Sequence, residues 1–119
     1  MHEYSLVRSL LRQVETIVFD EGGGVVEEVR IEVGAFSGVE MTLLELAFAD
    51  ESSRQLGYRP RLKTTAVPLQ VECERCKCRS VIEDFEFRCG ECGNQQVIIV
   101  SGEDVRLMEI EIRELNNAS

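Results

Sequence analysis

The chain has 119 residues, a formal net charge of −9 and a hydrophobic fraction of 44%. This length fits one modest domain with at most a small appendage, and the hydrophobic fraction suffices for one core. The acidic excess argues against a nucleic-acid partner, because phosphate binding depends on Lys and Arg. Apolar runs are short and no charged leader precedes one. We therefore expect no signal peptide, no membrane-spanning helix and a cytoplasmic location.

The first half of the chain predicts a helix, a strand and a second helix. Residues 4–18 place apolar side chains at intervals of three and four, which predicts an amphipathic helix that ends at a glycine triplet. Residues 25–33 alternate in the manner of a half-buried strand. Ser37 and Glu40 have the spacing of a capping box, and the second helix is expected to run from there to about Gly57.

The second half predicts strands around a cysteine-rich segment. Residues 60–71 read as one strand, with Pro68 near its end or at a sheet edge. Residues 97–100 form a short apolar run, and residues 105–113 form a final alternating strand after a turn at 101–104. Together with the two helices, these strands predict one layer of helices packed on a small sheet.

The most specific motif is a pair of Cys-x-x-Cys sequences. Their spacing is typical of a tetrahedral four-thiolate zinc site, and such a closed site is structural because no coordination position is left for chemistry. Two disulfides or a thioredoxin-type redox pair are weaker interpretations, since nothing indicates an oxidising compartment and a redox site needs one pair at a helix start. The symmetric ligand set is Cys73, Cys76, Cys89 and Cys92. The side chains expected to cover the site are Val81, Ile82, Phe85 and Phe87.

Cys78 is the fifth cysteine of the chain. It makes the first half of the motif read Cys-x-x-Cys-x-Cys, so that an exchange of ligand between Cys76 and Cys78 is conceivable. The symmetric assignment leaves Cys78 free.

His2 is the only histidine. A lone histidine usually has no special role, but a bulky second residue generally prevents removal of the initiator methionine, so the chain should begin Met1-His2-Glu3. The α-amine of Met1, the imidazole of His2 and the intervening amide nitrogens can then form fused chelate rings around one ion. Nitrogen donors in a plane suit Ni(II) or Cu(II). The sequence thus predicts an exposed, exchangeable metal site besides the closed zinc site.

The start Met1-His2-Glu3-Tyr4-Ser5-Leu6-Val7, combined with the twin Cys-x-x-Cys pairs, resembles the HypA/HybF family of hydrogenase nickel-insertion proteins. Residues 33–40, 97–99 and 102–103 are also similar to that family, so the resemblance covers nearly the whole chain. It implies a metallochaperone that delivers Ni(II) to the large subunit of nickel–iron hydrogenase. It also implies three partners, namely a GTPase accessory protein, the hydrogenase large-subunit precursor and, for some members, urease maturation proteins.

The resemblance also implies particular site residues. The family's nickel motif falls on His2, with Met1 and Glu3 beside it. Its zinc ligands fall on the four cysteines of the symmetric set, Cys73, Cys76, Cys89 and Cys92. Glu40, near the start of the second helix, could approach the amino terminus and tune the nickel site, although a helix cap also explains an acidic residue there.

The expected fold class is α+β, with two helices on a three-stranded mixed sheet and an inserted zinc-ribbon-like four-cysteine module. The resemblance assigns residues 1–70 plus 102–119 to a nickel-binding domain and residues 71–101 to a zinc-binding domain. We expect metal transfer and not an enzyme, because no second histidine exists for acid–base chemistry. The alternative function is a zinc-ribbon adaptor that only binds protein, with His2 incidental.

Overall fold

The structure is a computed structural model that describes residues 2–115, and within them it has two helices and six strands. The elements are α1 His2–Asp20, β1 Val25–Gly34, α2 Met41–Gln55, β2 Arg61–Val67, β3 Gln70–Cys73, β4 Arg79–Val81, β5 Val97–Ser101 and β6 Val105–Arg113. The strands form two three-stranded sheets with the orders β2-β1-β6 and β4-β3-β5. The predicted α+β class is confirmed, whereas the second sheet was not predicted. Neither helix has the length and apolar character that a bilayer span needs.

The described residues divide into two compact units. The first lies within Met1–Ile31, Val39–Thr64 and Leu107–Ser119, and it includes both helices. The second comprises Glu32–Gly38 and Thr65–Arg106, and it includes β3, β4 and β5. The assignment of a nickel domain and a zinc domain stays a prediction, because this division does not say which metal either unit binds.

Helix α1 packs against α2 in the first unit. The predicted apolar face of α1 is buried through Val7, Leu10, Leu11 and Val14. Burial of each such aliphatic side chain contributes about 1.5–3 kcal/mol to stability. The helix ends at Asp20, and the three glycines at 22–24 follow it with φ angles of 93°, 96° and 129°, which confirms the predicted stop.

The start of α2 differs from the predicted capping box. Glu40 is itself the N-cap, and its carboxylate accepts a hydrogen bond of 2.7 Å from the N–H of Leu43. The N–H of Glu40 donates to the Glu3 carboxylate over 3.0 Å, while the N–H of Ser37 donates to the carbonyl of Gly34. The reciprocal pairing predicted for Ser37 and Glu40 is therefore wrong, because the Glu40 N–H donates to Glu3 of α1 and the Glu40 carboxylate caps Leu43.

The segment predicted as one strand over residues 60–71 is two strands in different sheets. Strand β2 ends at Val67, and β3 begins at Gln70. Pro68 lies between them and has no N–H to continue a ladder. Gly102 approaches the same connection so closely that a Cβ added to it would lie 2.5 Å from Leu69 Cα and 2.6 Å from the Pro68 carbonyl oxygen.

The core of the second unit is small. Its buried cluster consists of Leu69, Val71 and Ile82, and Phe87 is among the half-buried side chains that pack against it. Val81 and Phe85, which were expected to cover the cysteine site, are instead exposed. In β4, Val81 pairs with Gln70, and its neighbour Ser80 pairs with the buried Val71. The side chain of Val81 therefore lies on the opposite face of the strand from that of Ser80.

Gly102→Ala is predicted to lower the free energy of unfolding by about 2–4 kcal/mol, as measured by urea denaturation. The added methyl group would overlap backbone atoms that cannot rotate away, and the φ of +94° is strained for alanine. Gly38→Ala is the matched control, because its φ is +76° but nothing lies within 4 Å of its added Cβ. The control should cost about 1 kcal/mol, and equal losses in the two variants would contradict the steric account.

Candidate metal sites

The two Cys-x-x-Cys pairs bring four thiol groups together. Their four sulfur atoms all lie within 4.8 Å of one another, with 3.7 Å between Cys73 and Cys92 and 3.5 Å between Cys76 and Cys89. Zinc–sulfur bonds of about 2.3 Å in a tetrahedron require sulfur–sulfur separations of about 3.8 Å, whereas a disulfide needs about 2.05 Å. None of the five cysteines is in a disulfide. The geometry therefore fits a four-thiolate metal site.

Each pair lies on a tight turn that closes in the same way. The residue four positions after the first cysteine donates its N–H to that cysteine's carbonyl, from Lys77 to Cys73 and from Gly93 to Cys89, both over 3.0 Å. Both donors have left-handed backbone, with φ of 65° at Lys77 and 75° at Gly93. Glycine at 93 suits this conformation because it has no Cβ. The first pair forms the same turn with a lysine.

Backbone N–H groups point at the buried sulfur of each pair. Cys76 N–H donates to the Cys73 sulfur and Cys92 N–H donates to the Cys89 sulfur, each over 3.4 Å. The N–H of Cys76 is the main cause that lowers the pKa of Cys73 to about 6, although burial opposes it. The N–H of Cys92 likewise lowers the pKa of Cys89. The folded chain thus stabilises two thiolates, which is the state that a metal requires.

Asn94 adds a side-chain contact that the sequence reasoning missed. Its Nδ2 lies 3.6 Å from the Cys73 sulfur, and its Oδ1 accepts a hydrogen bond of 3.2 Å from the N–H of Gln96. The carbonyl of Asn94 accepts from the N–H of Cys89 over 2.8 Å. Asn94 therefore orients both halves of the site and donates to one thiolate. An amide residue two positions after the last cysteine was the only sequence signal for this role.

Cys78 lies outside the group of four mutually close thiols. Its side chain is exposed, and its carbonyl accepts a hydrogen bond of 3.0 Å from the N–H of Cys73. The backbone of Cys78 thus supports the first turn. This arrangement is the one expected from the symmetric ligand assignment.

The amino-terminal residues occupy the first turn of α1. His2 is its first residue and is exposed, while Met1 lies outside the described residues. The N–H groups of a helix's first turn have no acceptor within the helix. The amide nitrogens of His2 and Glu3 are therefore not needed for the helical hydrogen bonds of α1.

Glu3 is buried, which the sequence reasoning missed. Its carboxylate accepts from the N–H of Glu40, and this bond is the main cause that lowers the pKa of Glu3, followed by a bond from its own amide. The available signal was its spacing, because Glu3 lies four residues before Val7 on the buried face of α1. The side chain of Glu3 thus faces the start of α2 and is not an exposed metal ligand.

Asn94→Asp is predicted to speed the release of a metal ion from the four-cysteine site to a chelator by about tenfold, because the variant loses the N–H donor and adds a negative charge beside a thiolate. The aspartate keeps the oxygen that accepts from Gln96, so the local turn should persist. Gln95→Glu is the matched control, since it adds the same charge at the adjacent exposed position. Similar acceleration in both variants would show that charge alone matters and would contradict the donor role.

Glu3→Gln is predicted to destabilise the protein at neutral pH and to flatten its loss of stability in acid. A carboxylate whose pKa is lowered by folding stabilises the folded state above its ordinary value of 4.5, and this contribution disappears as the pH falls through the lowered value. Denaturation between about pH 7 and about pH 3 measures the effect. Glu15→Gln, at an exposed position of α1, is the control. Parallel pH profiles for the parent and Glu3→Gln would contradict the prediction.

Residues 1–112 match the HypA family, described as hydrogenase/urease nickel incorporation, metallochaperone. The chain is 37% identical over 112 residues to the hydrogenase maturation factor HypA of Nitrosospira multiformis, across 94% of this chain and 97% of that protein. It is 31% identical over 118 residues to the HypA of Shewanella oneidensis, across 99% and 100% of the two chains.

A solved structure has the same fold. The solution structure of the nickel metallochaperone HypA from Helicobacter pylori superposes with a TM-score of 0.74 at 24% identity, over 94% of this chain and 97% of that one. The family resemblance stated from the sequence is confirmed, and proteins of this family are maturation factors and not enzymes. The chain therefore belongs to the HypA family of hydrogenase and urease nickel-incorporation metallochaperones.

Proposed function

We propose that this protein carries Ni(II) at Met1, His2 and Glu3 and delivers it in the cytoplasm to the hydrogenase large-subunit precursor. The observation that carries the proposal is the position of His2, the only histidine, exposed at the first turn of α1 in a chain of the nickel-incorporation family. A cargo ion must be held and then released. An exposed terminus with few donors suits that task better than a buried cage.

The donors of the nickel site are nitrogen atoms. They are the α-amine of Met1, the imidazole of His2 and the amide nitrogens of His2 and Glu3. Planar nitrogen donors suit Ni(II), and the ladder of helical hydrogen bonds in α1 does not use these amides, although the Glu3 amide donates to its own carboxylate. Because amine, imidazole and amides must lose protons to bind, nickel affinity should fall as the pH falls.

The carboxylates nearby support the site without belonging to its planar donor set. Glu3 uses its carboxylate to bind the N–H of Glu40, which fixes the first turn of α1 against the start of α2. Glu40 uses one carboxylate oxygen to cap Leu43. We assign Glu3 to the site through its backbone, and Glu40 through the charge that it places near the amino terminus.

The four-cysteine site is proposed to hold zinc as a structural ion. Cys73, Cys76, Cys89 and Cys92 would be its ligands, and the ion would supply a cross-link between the two turns. Because the core around Leu69, Val71 and Ile82 is small, this cross-link would add stability to the fold of the second unit. With four thiolates no coordination position is left for nickel.

The proposed partners follow from the family's function. A hydrogenase and urease maturation factor must meet the protein that receives nickel, which we assign as the hydrogenase large-subunit precursor. We also propose a GTPase accessory protein as the partner in insertion, and urease maturation proteins as further partners.

Calorimetric titration of the zinc-loaded protein with Ni(II) tests the site. The untagged chain that begins at Met1 should bind about one nickel ion with roughly micromolar or better affinity. His2→Ala and a variant with one extra residue before Met1 should each weaken binding by at least about tenfold, because each removes or displaces a donor. Glu3→Gln keeps its amide nitrogen and should keep the stoichiometry.

Equal binding by all of these proteins would place the nickel elsewhere and would contradict the proposal. Delivery is tested separately, by measuring the nickel content of the purified large-subunit precursor after incubation with the loaded protein. His2→Ala should transfer none above the background of free nickel.

A further inference from the structure

Three phenylalanine rings of the second unit stack from its core out to solvent. The centre of the Phe36 ring lies 5.7 Å from that of Phe87 at an interplanar angle of 65°, and 5.6 Å from that of Phe85 at an angle of 43°. Phe87 packs against the buried cluster of Leu69, Val71 and Ile82. We call Phe36, Phe85 and Phe87 the aromatic cluster.

The outer two rings of the aromatic cluster are exposed but held in place. Phe36 is 44% exposed and Phe85 is 62% exposed. The backbone at Phe36 is fixed by a hydrogen bond of 2.7 Å from its N–H to the Gly102 carbonyl. Phe85 has a φ of 61°, which is costly for a bulky residue. A turn in which Glu86 N–H donates to the Asp84 carboxylate over 3.1 Å holds this conformation.

A strained backbone that presents an apolar ring to water indicates a binding role, because folding alone gains little from it. The Phe85 ring contacts the Phe36 ring, and most of the Phe85 side chain remains exposed to solvent. Both rings are presented on fixed backbone, so a partner would meet a preorganised surface.

The rim of the aromatic cluster is acidic. Glu83, Asp84 and Glu86 flank Phe85 in the chain, and among the described residues only Glu86 has an ion pair, with Arg88 over 2.6 Å. The second unit as a whole has nine acidic and five basic side chains. Four thiolates around one zinc ion would add two further negative charges. An anionic partner would be repelled from this surface.

We propose that the aromatic cluster and its acidic rim bind an arginine-bearing segment of a partner protein. A guanidinium group stacks on aromatic faces and forms paired hydrogen bonds with carboxylates, so it matches both features of the surface. A purely apolar partner would leave the carboxylates Glu83 and Asp84 desolvated without a counter-charge. The proposal does not depend on nickel binding.

The probe is a blocked peptide of about five residues in which arginine alternates with leucine. It is titrated into the zinc-loaded full chain, and binding is followed by the amide NMR signals of Phe36 and residues 83–88. The matched peptide has citrulline in place of arginine, which keeps the shape and removes the charge. The arginine peptide should bind with a dissociation constant below about 5 mM, and the citrulline peptide at least about fivefold more weakly.

Two variants remove the two features separately. Phe85→Asn deletes the ring with a residue that tolerates left-handed backbone, and Glu83→Gln with Asp84→Asn removes charge while keeping the oxygen that accepts from Glu86. Each should weaken binding by about two- to fivefold.

The controls are Phe19→Asn, at a ring 83% exposed in the first unit, and the double variant Asp20→Asn with Glu45→Gln, at two positions that are also exposed. The controls should bind as the parent does.

Three outcomes would overturn the proposal. The first is no shift at peptide concentrations up to about 5 mM. The second is equal binding of the citrulline peptide, or equal loss in the control variants. The third is a shift of the same signals on raising the protein concentration alone, which would identify a second copy of this chain as the occupant.

Discussion

The small core of the cysteine-containing unit is the constraint on which the rest of that unit depends. Leu69, Val71 and Ile82 form its buried cluster, and few further side chains of Glu32–Gly38 and Thr65–Arg106 are buried. Each ordered residue costs about 1–2 kcal/mol of backbone entropy, which so few buried side chains offset poorly. The metal proposed for the four-cysteine site would cross-link its two turns and supply what the core lacks. The backbone N–H groups that donate to Cys73 and Cys89 favour the thiolate form that such an ion requires.

The cysteine sulfur atoms and the nitrogen atoms proposed to bind nickel differ in chemistry and in exposure. The sulfur donors are oriented by turns, N–H bonds and Asn94. The nitrogen donors proposed for nickel include the imidazole of His2, which is exposed at the first turn of α1. In the proposed function, the sulfur site would retain its ion and the nitrogen site would exchange its ion.

Local patterns in the sequence predicted local structure well. The spacing of three and four in α1 and the glycine stop after Asp20 depend on neighbours in the chain, and both are confirmed. The four cysteines also converge, as the spacing of the two Cys-x-x-Cys pairs predicted. The identities of the metals and the assignment of domains stay predictions. The family was recognisable because Met1-His2-Glu3 and the paired cysteines occur together.

The features that sequence reasoning missed involve partners distant in the chain. The bond from Glu40 N–H to Glu3 joins residues 37 positions apart, so a capping pattern could not reveal it. The close approach of Gly102 to the connection at Pro68 is likewise not visible in any periodicity. Phe85 was expected to cover the cysteine site because it is apolar, yet its left-handed backbone turns it to solvent. Short strands such as β4 carry too few residues for an alternation to be visible.

X-ray absorption at the zinc and nickel edges, on the untagged protein loaded with one equivalent of each metal, tests the central claim most directly. The account predicts a zinc shell of four sulfur atoms at about 2.3 Å and a nickel shell of nitrogen and oxygen without sulfur. Sulfur in the nickel shell, or nitrogen replacing sulfur around zinc, would contradict the separation of the two sites.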